Sequence, residues 1–146
     1  MKIRQLLENT MPFTTSTTNM PTYDDMMKMP EYHRDKKGWV FTIMHMSPDE
    51  YINEVYRYWK HFGALQPHDD MQTLDRRQSP KLVDRYAAKM KQGEKFPMPV
   101  LDHRSHMGWG SDKKEKSFSQ EGLHRAYAAK KLGVTQMPVM VVDDAE

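Results

Sequence analysis

The sequence contains no cysteine among its 146 residues. Disulfide bonds, thiolate nucleophiles and cysteine-ligated zinc are therefore excluded together. It also has no apolar run of about 18 residues or more, so no segment is expected to cross a bilayer. The first ten residues, MKIRQLLENT, hold too short an apolar patch for the hydrophobic region of a secretory signal. These absences predict a cytoplasmic protein with no membrane partner.

The chain has little net charge, +2, but its charge is unevenly distributed. Residues 1–80 carry 10 basic and 11 acidic side chains, residues 81–131 carry 12 and 6, and residues 132–146 carry 0 and 3, so the three parts sum to −1, +6 and −3. A basic middle segment favours a local anion site over a basic coat across the whole surface. A solvated lysine face is the alternative that this pattern leaves open.

Two stretches share the pattern of a capped amphipathic helix. Each opens with a Ser-Pro pair, at Ser47 and Ser79, and each closes at a glycine, Gly63 and Gly93. Residues rich in β-branched and aromatic types predict strands at 38–46 and 137–142, and KFPMPVLDH is expected to be a short strand whose prolines suit a sheet edge or a strand entry. The pattern predicts an α+β (mixed α/β) domain over residues 39–146, with a small mixed sheet flanked by helices. An extended arm is expected over residues 1–38.

A glycine-led turn stands between a short predicted strand and an alanine-rich helix in the stretch SQEGLHRAYAAKKLGVTQMPVMVV. The first turn of a helix leaves backbone N–H groups unpaired and carries the positive end of the helix dipole. Gly122 would let a ligand approach the backbone, and His124 and Arg125 would add hydrogen-bond donors for a phosphate. Glu121 would hold a ribose hydroxyl, a metal ion or an activated water. A structural cap with a solvent-facing arginine is the alternative.

A polar loop precedes this turn and offers candidates for contact with nucleic acid. Trp109 lies between two glycines, where its ring could stack on a base. The basic residues around it are Arg104, Lys113, Lys114 and Lys116. An inert hairpin tip is the alternative. The histidines of the same loop, His103 and His106, are expected to be ordinary solvated side chains rather than ligands of a structural metal.

Several spaced features of the second half resemble the ParB/sulfiredoxin superfamily. Its hallmark is a strand, a Gly-x-His-Arg or Gly-x-Arg-Arg turn, an alanine-rich helix and an apolar strand with a proline near its start. The matching residues are Phe118, Gly122, His124, Arg125, Ala126, Ala128, Ala129, Leu132 and Pro138, with Gly93, Pro97, Pro99 and Val100 upstream. The resemblance covers roughly residues 78–142.

The resemblance implies that Gly122, His124 and Arg125 bind a nucleotide or phosphate group. It also implies that Lys81, on the preceding helix, helps to bind a nucleoside triphosphate with Mg²⁺. By similarity to the nucleases and small-molecule kinases of the superfamily, Glu121 would be a general base or metal ligand, with Asp102 as the second candidate.

Departures from the superfamily pattern narrow the expected function. Leu123 stands where sulfiredoxins have their catalytic cysteine, so sulfinic-acid reduction is excluded. Asp84 and Ala88 replace hydroxyl residues of those enzymes, and the sequence shows neither a helix-turn-helix segment nor the second ParB motif.

Three functions are compatible with the sequence. The first is a domain that binds nucleotide or DNA phosphate and has phosphodiesterase (nuclease) or phosphotransfer activity. The second is a module that keeps the binding turn without the chemistry. The third is a structural or assembly protein that binds a protein partner through residues 8–38.

Overall fold

A computed structural model describes residues 11–17, 39–104, 106–107, 114–115 and 117–144. Six strands and four helices lie within these residues. In chain order they are β1 (Trp39–Met46), α1 (Pro48–His61), α2 (Met71–Arg76), α3 (Pro80–Lys91), β2 (Val100–Asp102), β3 (His106–Met107), β4 (Lys114–Glu115), β5 (Ser119–Glu121), α4 (Leu123–Lys131) and β6 (Met137–Asp144). The predicted α+β class with a small mixed sheet is confirmed.

The main sheet has the strand order β1-β6-β2-β5. Strand β6 pairs antiparallel with β1 and parallel with β2, and β2 pairs antiparallel with β5. Strand β2 is therefore interior, and its prolines fit the strand-entry alternative: Pro97 and Pro99 precede the strand, and the carbonyl of Pro99 accepts from the N–H of Met140 at 2.9 Å. The strands β3 and β4 form a separate pair, as a hairpin at the polar loop requires.

Helix α4 packs against both α1 and α3, and its small side chains allow these helices to approach closely. Ala126, Ala128 and Ala129 have no exposed surface. An alanine lets a neighbouring helix approach closely and loses no side-chain entropy on burial. The core continues into α1 through Tyr51 and Val55, which are fully buried. The start of α4 is consequently held between two other helices.

The two Ser-Pro helices and their caps are confirmed. The Ser47 and Ser79 side chains accept from backbone N–H groups of the first turns of α1 and α3. Gly133, with φ of +75°, follows α4 in the left-handed conformation that commonly ends a helix. The sequence analysis missed α2, a six-residue helix that Asp70 caps through the N–H of Thr73. Its brevity explains the omission, since six residues give too short a window for helical periodicity.

Part of the predicted N-terminal arm belongs to the folded domain. Phe13 forms a parallel bridge with Phe96 and is only 5% exposed. The N–H of Phe96 donates to the carbonyl of Pro12 and the N–H of Met98 to that of Ser16, both at 2.8 Å. Residues 11–17 of the predicted arm therefore pack against the domain, the rest of residues 1–38 lies outside the described residues, and the boundary at residue 38 stays a prediction. No helix in the described part of the chain is long and apolar enough to span a membrane.

Candidate functional site

A cavity of about 420 Å³ lies at the start of α4, where the sequence analysis placed the phosphate site. Strand β5, the first turn of α4, the end of α2 and one residue each from α1 and α3 surround it. The residues that line it are Trp59, Arg77, Gln78, Tyr86, Gln120, Glu121, Gly122, Leu123, His124 and Arg125. Four of the predicted site residues therefore meet at one cavity.

Gly122 is required by the packing of the chain against itself. Its φ of +106° lies in the left-handed region, and it precedes α4 without a side-chain cap. A Cβ at this position would stand 2.8 Å from Nη2 of Arg125 and 2.9 Å from the Cα of Pro99. Any larger residue would therefore displace the arginine or the backbone before strand β2.

The Arg125 side chain is committed to internal contacts. It is 8% exposed, and its Nη1 and Nη2 donate to the two carboxylate oxygens of Glu121, both at 2.6 Å. Its Nε also donates to the carbonyl of Pro97 at 2.9 Å, and Nη2 to that of Met98 at 3.2 Å. Four of the five guanidinium N–H groups are then used. The phosphate-gripping role predicted for this side chain does not fit the geometry.

The two predicted catalytic carboxylates are each engaged by an arginine. Both oxygens of Glu121 accept from Arg125, as described above, and those of Asp102 accept from Nε and Nη2 of Arg104, the shortest contact being 2.6 Å. The two acids also lie at opposite ends of the β2–β5 ladder, because Glu121 pairs with Val100 and Asp102 with Ser119. They therefore do not converge on one point, and the general-base or metal-ligand role expected for Glu121, with Asp102 as the second candidate, stays a prediction.

The contacts of Glu121 and Asp102 with arginine also affect whether the predicted Mg²⁺-nucleoside triphosphate could bind. The candidate acids each direct both carboxylate oxygens at a guanidinium group, which competes with a divalent cation for these oxygens. Within the described residues, no group of three or more histidine and acidic side chains could hold a metal ion. A metal-bound triphosphate at this cavity stays a prediction.

Two backbone N–H groups at the start of α4 have no hydrogen-bond acceptor among the described residues. The N–H of Leu123 donates to Oε1 of Gln120 at 3.1 Å. The next two, of His124 and Arg125, have no acceptor among the described residues, because the first bond within the helix is from the N–H of Ala126 to the carbonyl of Gly122. Unpaired N–H groups at the positive end of a helix dipole favour an anion.

The buried Tyr51 hydroxyl contacts Gln120 and fixes its side chain next to the N–H of Leu123. This hydroxyl has no exposed surface and lies 3.2 Å from Oε1 of Gln120, 3.0 Å from the carbonyl of Val100 and 3.1 Å from that of Glu121. Burial raises the pKa of the Tyr51 hydroxyl well above its usual value near 10. The group therefore stays protonated and donates to this set of oxygens.

His124 joins the starts of two helices. Its Nε2 accepts from the N–H of Ser79, the cap of α3, at 3.3 Å. A nitrogen that accepts carries no proton, so the ring proton lies on Nδ1, where it can be donated. The positive ends of the α3 and α4 dipoles meet here, and the Arg77 guanidinium on the cavity wall adds a full charge. Because Glu121 and Arg125 neutralise each other, the cavity is expected to be positive.

None of the other predicted site residues that the structure describes lies at this cavity. Lys81 is exposed on α3 and is not part of the cavity wall. Arg104 binds Asp102, and its guanidinium lies 4.4 Å from the ring centre of Trp39. Lys114 lies on β4, whereas Trp109, Lys113 and Lys116 fall outside the described residues. Their predicted contact with nucleic acid stays a prediction.

Six residues that line the cavity were not predicted as site residues: Trp59, Arg77, Gln78, Tyr86, Gln120 and Leu123. Gln120 could have been found, since a side-chain acceptor three residues before an uncapped helix N–H is a capping pattern. Arg77 and Gln78 carry no such signal, because they follow the short helix α2 and reach the cavity only through the tertiary fold.

No family model matches this chain, and neither does any curated protein or solved structure.

Proposed function

We propose that the chain is a phosphate-binding module of the ParB/sulfiredoxin type. It binds the phosphate of a nucleotide or nucleic acid in the cavity at the start of α4. The observation that carries this proposal is the pair of unpaired N–H groups, of His124 and Arg125, beside a cavity that Arg77 also lines. Backbone N–H groups, a helix dipole and a guanidinium are the usual partners of a phosphate in proteins.

The roles at the turn differ from those that the resemblance implies. The Arg125 side chain is a buried brace for the turn, through Glu121 and the two carbonyls before β2. Its backbone N–H, with that of His124, contacts the phosphate. The positive charge at the cavity comes from Arg77, which is exposed and donates to the carbonyl of Ala64 at 2.9 Å.

Binding without turnover is the version of this function that the geometry supports. A general base needs a free lone pair directed at the water or hydroxyl that it activates. Glu121 and Asp102 use both carboxylate oxygens on Arg125 and Arg104. We therefore propose the module that keeps the binding turn and lacks the chemistry.

The order of the elements supports the superfamily part of the proposal. The segment β5, the Gly122 turn, the alanine-rich α4 and the apolar β6 follow one another as the resemblance implies. Pro138 lies second in β6, near the start of that strand. A protein-assembly role through residues 8–38 stays a prediction, since only residues 11–17 of that segment are described and these pair within the chain.

Calorimetric titration of the wild-type chain with pyrophosphate, a 5′-nucleoside monophosphate and a short single-stranded DNA tests the proposal. Arg77→Ala is expected to weaken binding of pyrophosphate about tenfold, because a charge-assisted contact is lost. Arg76→Ala is the matched control, since its neighbouring guanidinium bonds to Gln72 and is not part of the cavity wall. It should bind pyrophosphate as the wild type does.

The outcome that contradicts the proposal is equally specific. Absence of saturable binding of all three probes at low salt would show that the cavity takes no phosphate. Equal losses in Arg76→Ala and Arg77→Ala would show that the probes bind to surface charge in general.

A further inference from the structure

One face of strand β1 passes from the core to the surface of the protein. Met46, the last residue of the strand, belongs to the core and is 7% exposed. Side chains alternate between the two faces of a strand, so Val40, Thr42 and Met44 lie on the same face as Met46. Val40 and Met44 are nevertheless 46% and 48% exposed. An exposed apolar surface that continues the core is typical of a contact surface for another molecule.

Two cavities lie beside this surface, along helix α1. One, of about 380 Å³, lies between Met44 on β1 and the first half of α1, and the other, of about 410 Å³, lies at the end of α1. His103 and Val141 line both cavities, so the two form one groove that follows α1 from Glu50 to its end at Phe62. At about 1.5 Å per helical residue the groove is about 18 Å long, which is room for about five residues of an extended chain. We call it the acidic groove.

The charged side chains that line the acidic groove are all acids. They are Glu50, Glu54, Asp143 and Asp144, and no lysine or arginine of the described residues is part of the wall. The chain as a whole has the opposite net charge, +2. A concave surface of one sign attracts the opposite charge and repels its own. The charge of the groove therefore favours a basic occupant.

The carboxylates of the acidic groove differ in how far the chain already uses them. Glu54 pairs with Arg57 at 2.8 Å, and the arginine side chain of this pair is largely exposed. Exposed pairs contribute little to stability, so a cation of the occupant can replace Arg57 at small cost. Asp143 is exposed on β6, and its carboxylate forms no ion pair among the described residues. Asp143 is therefore the acid most available to a cation.

Aromatic rings lie at the same end of the acidic groove as Asp143. Tyr58 and Phe62, one turn apart on α1, line this end, and Phe62 is 39% exposed. The Tyr58 ring is held by Phe118, whose ring centre lies 4.9 Å away. A guanidinium can lie against an aromatic ring while its N–H groups bond to a carboxylate. This end of the groove therefore fits an arginine side chain.

We propose that the acidic groove binds a segment of a partner protein in which arginine stands beside apolar residues. The arginine binds Asp143 and the Phe62 ring, and the apolar side chains cover Met44 on β1. The acidic groove shares no lining residue with the cavity at the start of α4, so the partner and the phosphate occupy separate sites. This inference goes beyond the proposed function and does not depend on it.

Titration with synthetic peptides at low salt tests the proposal. The probe is a capped hexapeptide in which arginine and leucine alternate, and two matched peptides carry glutamate in place of arginine or serine in place of leucine. The wild type is expected to bind the arginine–leucine peptide about tenfold more tightly than the arginine–serine peptide, and to leave the glutamate–leucine peptide unbound.

Two variants locate the peptide in the acidic groove. Asp143→Asn should weaken binding of the arginine–leucine peptide about fivefold, because a contact between exposed charges is lost. Phe62→Leu keeps an apolar side chain without the ring and should weaken it about threefold. Glu94→Gln is the matched control, since it removes one negative charge from an exposed loop residue outside the groove. It should bind the peptide as the wild type does.

The proposal is overturned if the arginine–leucine peptide does not bind, or if it binds no better than the arginine–serine peptide. Equal losses in Asp143→Asn and Glu94→Gln would also overturn it, because the peptide would then bind to surface charge in general. A wild type that binds no peptide, and whose dimer dissociates on Asp143→Asn, would assign the groove to a second copy of the chain instead. Should a variant not fold, backbone amide signals of the wild type decide: the peptide must shift Met44, Phe62 and Asp143 most, and larger shifts elsewhere contradict the proposal.

Discussion

The starts of α1 and α4 differ in whether the chain itself supplies acceptors and negative charge for the first N–H groups of the helix. At α1, the Ser47 hydroxyl accepts from the N–H of Glu50 at 3.0 Å, and the Glu50 carboxylate accepts in return from the N–H of Ser47 at 3.4 Å. Asp49 adds a second negative charge in the first turn. At α4, the N-cap residue is Gly122, which has no side chain to accept a hydrogen bond, and the first turn has no acidic residue. The Gln120 side chain accepts from the N–H of Leu123, but the next two N–H groups have no acceptor among the described residues.

The ion pair of Glu121 and Arg125 explains this difference, because it keeps the Glu121 carboxylate away from the first turn of α4. Glu121, the acid nearest to the unpaired N–H groups, is turned toward Arg125 and neutralised there. An acid placed as Glu50 is at α1 would instead cap the helix and repel an incoming phosphate. Substitutions at the Arg125–Glu121 pair, at the Tyr51 hydroxyl and at the α1 cap are expected to have progressively smaller effects.

The largest effect is expected from removing the brace of the α4 start. Arg125→Met would leave the Glu121 carboxylate and the carbonyls of Pro97 and Met98 without their donor. We expect the free energy of unfolding to fall by roughly 3 kcal/mol. Glu121→Gln keeps an acceptor for the guanidinium and should cost about 1 kcal/mol. Urea unfolding of both variants checks this, and a loss in Arg125→Met no larger than in Glu121→Gln would contradict the account.

A pH-dependent effect is expected from Tyr51, which connects α1 to the α4 start through Gln120. Burial raises the pKa of Tyr51 in the folded chain, whereas the unfolded chain titrates near 10. The unfolded chain therefore binds fewer protons above pH 10, and stability falls as the pH rises, by about 1.4 kcal/mol per pH unit from this residue. Unfolding of the wild type and Tyr51→Phe at pH 7 to 11 checks this. The two slopes should differ above pH 10 and agree below pH 9, and identical slopes throughout would show that the hydroxyl is not buried.

The smallest of these effects concerns the capped start of α1. Ser47→Ala removes the cap of α1 and is expected to cost about 1 kcal/mol. It should create no phosphate site at α1, because Asp49 and Glu50 remain in the first turn. Thermal unfolding with and without pyrophosphate checks both statements. A new pyrophosphate-dependent stabilisation in Ser47→Ala would show that an uncapped helix start alone suffices for binding.

The sequence alone predicted those parts of the fold whose causes are local. Ser47 and Ser79 each precede a proline and an apolar stripe, and Gly133 follows α4, so their helix boundaries can be read from neighbouring residues. The α+β class followed from the same elements. The packing of residues 11–17 onto Phe96 could not be predicted, because the two segments are more than 80 residues apart and no local pattern couples them.

The sequence pointed to the place where a cavity lies, but not to the directions of the side chains around it; that the cavity binds phosphate stays a prediction. The Gly122 turn carries a recognisable residue pattern, and the cavity lies there. The direction of the Arg125 side chain is set by hydrogen bonds to the carbonyls of Pro97 and Met98, and these carbonyls come near only in the folded sheet. Arg77 and Gln78 likewise reach the cavity from α2, a helix too short to be predicted. A residue pattern can locate a helix start, but the direction of a long side chain is decided by tertiary contacts.

The contrast between the two helix starts can be measured directly by following backbone amide signals during a titration of the nitrogen-labelled chain with pyrophosphate. We predict that the largest shifts occur at His124 and Arg125, that Asp49 and Glu50 stay unchanged, and that His124→Asp, which gives α4 an acid of its own, abolishes the shifts. Shifts of equal size at the α1 amides, or no shift at His124 and Arg125 at saturating pyrophosphate, would contradict the claim that the α4 start is a phosphate site.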